Sequence, residues 1–407
     1  KGNLSSIVAR VKIEAGLNIA EKRLPQDGRI TKKIRGKVID VRVSTIPTAK
    51  GERVVMRILD KENIVLDLTD LGFAKRDLDI LLHTIHRPNG IMLVTGPTGS
   101  GKTTTLYASL NKINTPDKNI LTAEDPVEYE LRGIGQLHVK PKIGLNFAKA
   151  LRAFLRQDPD VIMVGEIRDH ETADIAVHAS LTGHLVLSTL HTNDAPGAIT
   201  RLIEMGVKPF QISSSLLAVL AQRLVRRLCP HCKVAYTAHE EDLLELGIDL
   251  DHVDETLAKL RAVAATTVMG RNSDVPAAPE ADEVELRAED LFEESYNIVE
   301  EPTALHHLPS VADTGMPTFF KPDPNGCEEC GQTGYRGRMG IYELMVIDEP
   351  VRKAVLANSD AKTIQRAART QGMRTLREDG ARQVIAGVTS VDEVLAATQA
   401  TELEAAE

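Results

Sequence analysis

The chain has 407 residues, 42% of them hydrophobic and 26% charged, with a formal net charge of -9. That is enough apolar material for about two or three domains, and it excludes wholesale disorder. No apolar run reaches the ~18 residues of a membrane-spanning helix, and with no Trp, 7 Phe and 6 Tyr a surface of stacked aromatics for single-stranded nucleic acid is disfavoured.

The first residue is Lys1 rather than Met. The chain is therefore expected to begin inside something longer, and no charged-then-apolar signal segment opens it. Residues 1 to about 60 read as a small α/β module, cut off at its start. Strands are predicted at Lys37–Val43 and Arg53–Leu59, with Ile46–Gly51 as the hairpin loop between them. Ile39, Val41 and Val43 share one face of the first strand; Asp40, Arg42 and Ser44 share the other. A connecting segment and a helix at about Lys75–His86 lead to the turn Arg87-Pro88-Asn89-Gly90.

From residue 91 short apolar strands alternate with helical stretches: Ile91–Thr95, Lys102–Ile113, Ile120–Thr122, Val161–Val164 and His184–Ser188. This is the pattern of an α/β domain with a largely parallel sheet. Residues 264–301 lack periodicity, are rich in Ala, Pro, Asp and Glu, and read as a mobile insertion. From Arg336 on the chain reads as mainly helical. Its last helix opens on a capping box, Ser390-x-x-Glu393.

Gly96-Pro97-Thr98-Gly99-Ser100-Gly101-Lys102-Thr103 matches G-x-x-x-x-G-K-[ST] in full, after a strand and before a helix. The glycines let backbone N–H groups turn inward around phosphate oxygens, and the following helix presents its positive end. Lys102 is expected on the β- and γ-phosphates and the Thr103 hydroxyl on Mg²⁺. Two acids follow short apolar strands: Glu166 after Val161–Val164, and Glu124 after Ile120–Ala123. Strand ends in such a sheet lie near the phosphates. Glu166 could hold Mg²⁺ through water or polarise the attacking water, and Glu124 is the second candidate for the same work. His184 and His191 flank a buried strand; either could touch a phosphate or serve the packing.

The cysteines fall as two C-x-x-C pairs, Cys229/Cys232 and Cys327/Cys330. In a reducing compartment this spacing points to a structural four-thiolate Zn²⁺ site, with His231 as a spacer. The gap between the pairs is longer than the ~15–20 residues of most zinc ribbons. It is tolerable because loop-closure cost grows only logarithmically with length.

Five runs together carry a resemblance: the phosphate loop, Glu124-Asp125-Pro126-Val127-Glu128, Arg156–Asp160, Gly165–Asp169, and Thr182-Gly183-His184 through Asn193. With Gln222–Cys232 and Gly334–Gly340 they resemble the secretion traffic ATPases of type II secretion and type IV pilus assembly. The wording at Ser180–His184 and Ser213–Leu217 is closer to the type II secretion branch. The resemblance implies a PAS-like module over 1–60, a linker and connecting helix over 61–90 and a RecA-like P-loop ATPase core over 91–228. It further implies a zinc-binding subdomain over 229–335 that contains the insertion, and a helical C-terminal region over 336–407. It implies ATP, Mg²⁺ and Zn²⁺ as ligands, Glu124 as catalytic glutamate, and Glu166 as the acid of the second nucleotide motif. It implies His191, with His184, as a γ-phosphate sensor. Thr104 joins the nucleotide site. Arg42 and Arg57, helped by Arg152, Arg156 and Arg168, are implied on the phosphates, as a guanidinium fork allows.

The same resemblance implies a homohexamer, cytoplasmic and peripheral on the inner face of the inner membrane. There it would drive secretion-platform proteins through a preceding region, with no nucleic-acid partner. A pilus-assembly ATPase is the alternative within the family. A RecA-like nucleic-acid translocase is the rival outside it. The bulk charge cannot decide against that rival. Residues 280–301 carry ten acids and one base, an excess equal to the whole-chain charge.

Overall fold

The structure is a computed structural model that describes residues 4–34, 37–60, 67–248, 253–265 and 316–406. It divides into two compact units, residues 1–66 and 67–407. Of the insertion expected over 264–301, residues 264 and 265 end the helix Val253–Ala265, and 266–301 lie outside the described residues.

The first unit is an antiparallel sheet of β1 (Gln26–Ile34), β2 (Lys37–Thr48) and β3 (Gly51–Asp60), in that order, with a helix at Leu4–Glu14. Val43 is buried, but so is Asp40 on the opposite face, where its carboxylate accepts from Arg29 and Thr31, so burial does not follow the expected apolar–polar alternation. At Gly28 a Cβ would meet the Ala15 carbonyl at 2.4 Å, so glycine lets the chain after the helix cross the sheet closely. The hairpin is tighter than expected: β2 runs through Ile46 and Pro47, and Pro47 lies opposite Glu52. β1 pairs with β2 no further than Thr45. Beyond it β2 has a partner on one side, where a missing N–H costs no ladder bond.

The second unit carries seven strands: β4 (Gly90–Thr95), β5 (Ile120–Glu124), β6 (Gly135–His138), β7 (Val161–Val164), β8 (Leu185–Leu190), β9 (Leu216–Leu228) and β12 (Tyr335–Val346). Their order is β12-β9-β4-β8-β7-β5-β6, parallel throughout except for the β12–β9 edge. β4, β7 and β8 are buried at every residue, the mark of strands covered on both faces. One face shares a core with the helices Phe147–Phe154, His170–Leu181, Ala195–Glu204 and Glu349–Leu356. The helix Lys102–Ile113 packs on β4 and β8, and the helix Lys75–Ile85, placed by the sequence in a connector, packs on it.

β9 and β12 depart from expectation. Residues 336–346 form a sheet strand rather than helix, and helices follow from Glu349. A small antiparallel pair, β10 (Val234–Thr237) and β11 (Thr318–Lys321), follows the first cysteine pair. Phe319 and Leu243 share a core with Val384 and Val394 of the last two helices, Leu376–Ile385 and Val391–Ala406. The cysteine region and the C-terminal helices are therefore packed as one body. The expected capping box is redirected. Both Glu393 carboxylate oxygens accept from Arg226, and the Ser390 hydroxyl lies 3.0 Å from Tyr335 Oη. The Arg226 guanidinium donates to one Glu393 oxygen and the Arg226 backbone amide to the other, which commits this carboxylate to the neighbouring strand.

Candidate nucleotide site and cysteine centre

The phosphate loop leaves β4 at Gly96 and enters its helix at Lys102. Gly96, Gly99 and Gly101 all have positive φ (146°, 84° and 92°). At Gly96 a Cβ would stand 2.5 Å from the Gln222 carbonyl, so no side chain fits there. The buried Ser100 hydroxyl has no hydrogen-bond partner among the described residues. Lys102 Nζ donates to the carbonyls of Gly96 (2.6 Å) and Pro97 (3.1 Å), which folds it over its own loop. Burial brings its ammonium down to about 8; the Arg223 guanidinium pushes the same way and Glu166 opposes. Thr103 is exposed in the first helical turn. Positive φ, an orphaned hydroxyl and a folded-over lysine fit a polyphosphate in this cradle.

Glu124 ends β5 and is 3% exposed. Its Oε1 accepts from Thr122 Oγ1 (2.5 Å) and Gln136 Nε2 (3.0 Å), and its Oε2 accepts the Tyr107 hydroxyl proton. An ionised carboxylate offers about four acceptor sites, so one remains for a water. Burial and the Glu124 bond together hold the Tyr107 phenol well above its ordinary range. Tyr107 and Gln136 carry no signal in the sequence that would single them out.

Glu166 follows β7. It is clamped between Arg168 Nη2 (2.5 Å) and His191 Nε2 (3.3 Å). This bond to the carboxylate raises the Arg168 guanidinium further. The strand register puts Glu166, His191 and the phosphate loop at the same end of the sheet, and the Glu166 charge is felt at Lys102. Thus Lys102, Glu166, Arg168 and His191 are brought together at the strand ends.

Within the second unit, His184, Arg152 and Arg156 have other partners. His184 precedes β8, at the strand's opposite end from His191. Its Nδ1 lies 2.9 Å from the Ala179 carbonyl, and its own carbonyl accepts from Gly90 N, at the start of β4 rather than its phosphate-loop end. Arg152 pairs with Glu171 (2.6 Å), and Arg156 donates to the Arg152 carbonyl (2.6 Å). Arg42 and Arg57 are direct cross-strand partners in the first unit, and Arg29 faces Arg42 from β1, so three arginines form one row.

Sequence reasoning assigned no role to Gln222 and Arg223. They interrupt an otherwise apolar strand, Leu216-Leu217-Ala218-Val219-Leu220-Ala221, and that interruption is the signal. It also missed Glu343 on β12, which accepts from Ala195 N at 2.7 Å. Burial pushes the Glu343 carboxyl up to about 7. Glu343 lines a cleft of about 810 Å³ that also borders His191, Asn193 and Asp194.

The four cysteine sulfurs lie within 4.8 Å of one another. Cys229–Cys327, Cys327–Cys330 and Cys232–Cys330 are 3.7, 3.8 and 3.9 Å apart. Four thiolates at Zn–S bond length around a tetrahedron stand about 3.8 Å apart, so the donor set fits Zn²⁺. Backbone amides of Cys327 and Gly334 point at Cys330 Sγ and hold its thiol down to about 6. His231 is exposed and outside the cluster, as expected of a spacer.

A parallel sheet with a complete phosphate loop and a carboxylate–histidine pair at its strand ends defines a P-loop nucleotide-binding protein. The family described as Type II/IV secretion system protein matches residues 2–396, and the chain belongs to that family. It is 50% identical to Type II secretion system protein E of Pseudomonas aeruginosa over 393 residues, which is 97% of this chain and 65% of that one. It is 45% identical to the Type II secretion system ATPase E of Vibrio cholerae, at 97% and 65% coverage. It is 47% identical to the Type IV pilus assembly ATPase PilB of Thermus thermophilus, covering 98% of this chain and 38% of that one. The chain thus spans just under two thirds of the type II relatives' length. The pilus retraction motor PilT with bound ADP shares the fold at TM-score 0.57 and 23% identity, covering 94% of this chain and 80% of that one. The ATPase DotB of Legionella pneumophila does so at 0.56 and 20%, covering 94% and 78%. Among the described residues no helix is long and apolar enough to cross a membrane.

Proposed function

We propose that this chain is the ATP-hydrolysing part of a type II secretion motor. The observation that carries the reading is the convergence of Lys102, Glu166 and His191 at one end of the parallel sheet, in a chain half identical to type II secretion proteins E. The loop 96–101 cradles the phosphates, with Thr104 in the same helical turn as Lys102 and Thr103. Lys102 leaves its own carbonyls for the β- and γ-phosphates. Thr103 and Glu166 would hold Mg²⁺, which spreads the phosphate charge when bound. Glu124, with its remaining acceptor site, orients the attacking water and takes its proton. Arg168 keeps Glu166 aimed, and His191 reports on the γ-phosphate through its Glu166 bond. Arg42 and Arg57 supply an anion-binding row in the first unit. Arg152 and Arg156 serve as anion ligands for a nucleotide held by another copy. His184 serves the packing of the strand start in its own chain.

The assembly we propose is a homohexamer on the cytoplasmic face of the inner membrane, driving a platform that adds or extracts pilin-like subunits. The cysteine centre, loaded with Zn²⁺, stabilises the 229–335 region. The expected division into core, cysteine subdomain and C-terminal region is retained as a functional one. The 47% identity to a pilus-assembly ATPase keeps the pilus branch as the second reading. A pull-down with the full-length protein from its native cells separates the two: secretion-platform proteins support the first, pilus-platform proteins the second. ATPase activity stimulated by DNA and suppressed by salt would favour a translocase instead.

A further inference from the structure

β9 overshoots β4. The last β4 residue, Thr95, pairs with Ala221, and β9 continues to Leu228. Gln222 and Arg223 therefore lie past the end of β4, alongside the phosphate loop, where β9 still pairs with Tyr342 and Ile341 of β12. Gln222 is 1% exposed and ties both that loop and the helix it enters. Its Nε2 donates to the Ser100 carbonyl (2.7 Å), and its Oε1 accepts from Thr105 Oγ1 (2.9 Å). Arg223, 6% exposed, reaches the other way. Its Nη2 donates to Asn193 O (2.9 Å) and Asn193 Oδ1 (3.1 Å), and its Nη1 donates to the Gln222 carbonyl (3.3 Å). Asn193 is two residues from His191, which touches Glu166.

Four residues of this short segment are held from four different strands: His191 by Glu166 after β7, Thr192 by Thr95 at the end of β4, Asn193 by Arg223 within β9 and Ala195 by Glu343 within β12. One guanidinium nitrogen serves the backbone and side chain of Asn193 while the other reaches the Gln222 carbonyl, a spread that a single lysine ammonium does not reproduce. We infer that Gln222 and Arg223 are positioning residues for the nucleotide reaction, locking the 191–193 segment in register with the phosphate loop. The inference rests on the ATPase reading above. Binding energy comes from the loop itself, so loosening this strut leaves nucleotide affinity in place and misplaces His191 and Glu166. Small misplacements at a reacting centre cost turnover far more than affinity. The Arg223 charge is also felt at Lys102.

The test uses the full-length protein as R223Q, R223K and Asn193→Ala. For R223Q the expected result is a kcat lower by about 10- to 100-fold, with the Kd for a non-hydrolysable ATP analogue within about threefold of wild type. R223K keeps the charge without the fork and recovers part of the loss. Asn193→Ala keeps the arginine, guards against a misfolded R223Q, and lowers kcat in the same sense. Hydrogen exchange at the Thr192 and Asn193 amides supplies a readout that a merely structural role would not move. The analogue slows it in wild type and not in R223Q at equal occupancy. Wild-type turnover in R223Q, or parallel loss of affinity, turnover and thermal stability with protection retained, overturns the inference. A wild-type protein that hydrolyses no ATP overturns the ATPase reading itself.

Discussion

Thr95 and Thr192 join the strand that launches the phosphate loop to the segment that carries His191. Thr95 Oγ1 accepts from the Thr192 amide at 2.8 Å and lies 2.7 Å from its hydroxyl. Two sequence-distant loops are thereby fixed at the same end of adjacent strands. Thr95→Val keeps the shape and leaves the Thr192 amide without its acceptor. The expected loss is about 1–3 kcal/mol of unfolding free energy, measured by urea denaturation. A change under about 0.5 kcal/mol would mean the bond contributes nothing net.

Lys102 sets a pH limit on binding. Its ammonium is held down to about 8 by burial, so the free protein loses that charge above pH 8. A polyphosphate favours the charged form, so binding takes up a proton there. ATP affinity measured by titration calorimetry is expected to fall by up to about tenfold per pH unit above pH 8. K102A should bind weakly with a flatter profile over that range. Equal slopes in the two proteins would assign the effect to another group.

Glu343 gives stability the same direction of dependence on pH. Its folded carboxyl titrates near 7, above its ordinary 4.5, because it is buried. The folded state therefore holds a proton that the unfolded chain has released between those values. The contribution is fully present below pH 4.5 and is lost as pH rises through 7. The shift corresponds to roughly 3 kcal/mol. Glu343→Gln keeps a neutral acceptor for Ala195 N and should flatten the decline between pH 5 and 8 in denaturation curves. A variant with an unchanged decline would exclude Glu343 as its source.

Ser at both Cys327 and Cys330 removes two of four thiolates from a cluster with zinc-like spacing. Bound zinc, measured by atomic emission, should fall from about one per chain to near zero. Phe319 packs in the core shared with the last two helices, so cleavage by a protease around β11 should rise as well. Unchanged metal content would place the zinc elsewhere.

Much of this site was legible in the sequence because its signals are local. The phosphate loop and the helix Lys102–Ile113 follow directly from glycine spacing and periodicity, and the cysteine pairs from ligand chemistry. β9 and β12 were not legible. Both are long, and their exposed ends carry charges such as Arg226, Arg227 and Arg338, which obscure the apolar run. The partners of Glu124 were hidden for another reason. Tyr107 comes from a helix and Gln136 from an edge strand, and only the fold brings them to one carboxylate. The separation of His184 from His191 likewise depends on which end of β8 each occupies.

Glu124→Gln tests the central claim most directly, with nucleotide binding and turnover measured on the same preparation. The amide keeps the size of the side chain and removes the base. The account predicts ATP affinity within about threefold of wild type and a turnover reduced by at least about 100-fold. Wild-type turnover in Glu124→Gln would contradict it.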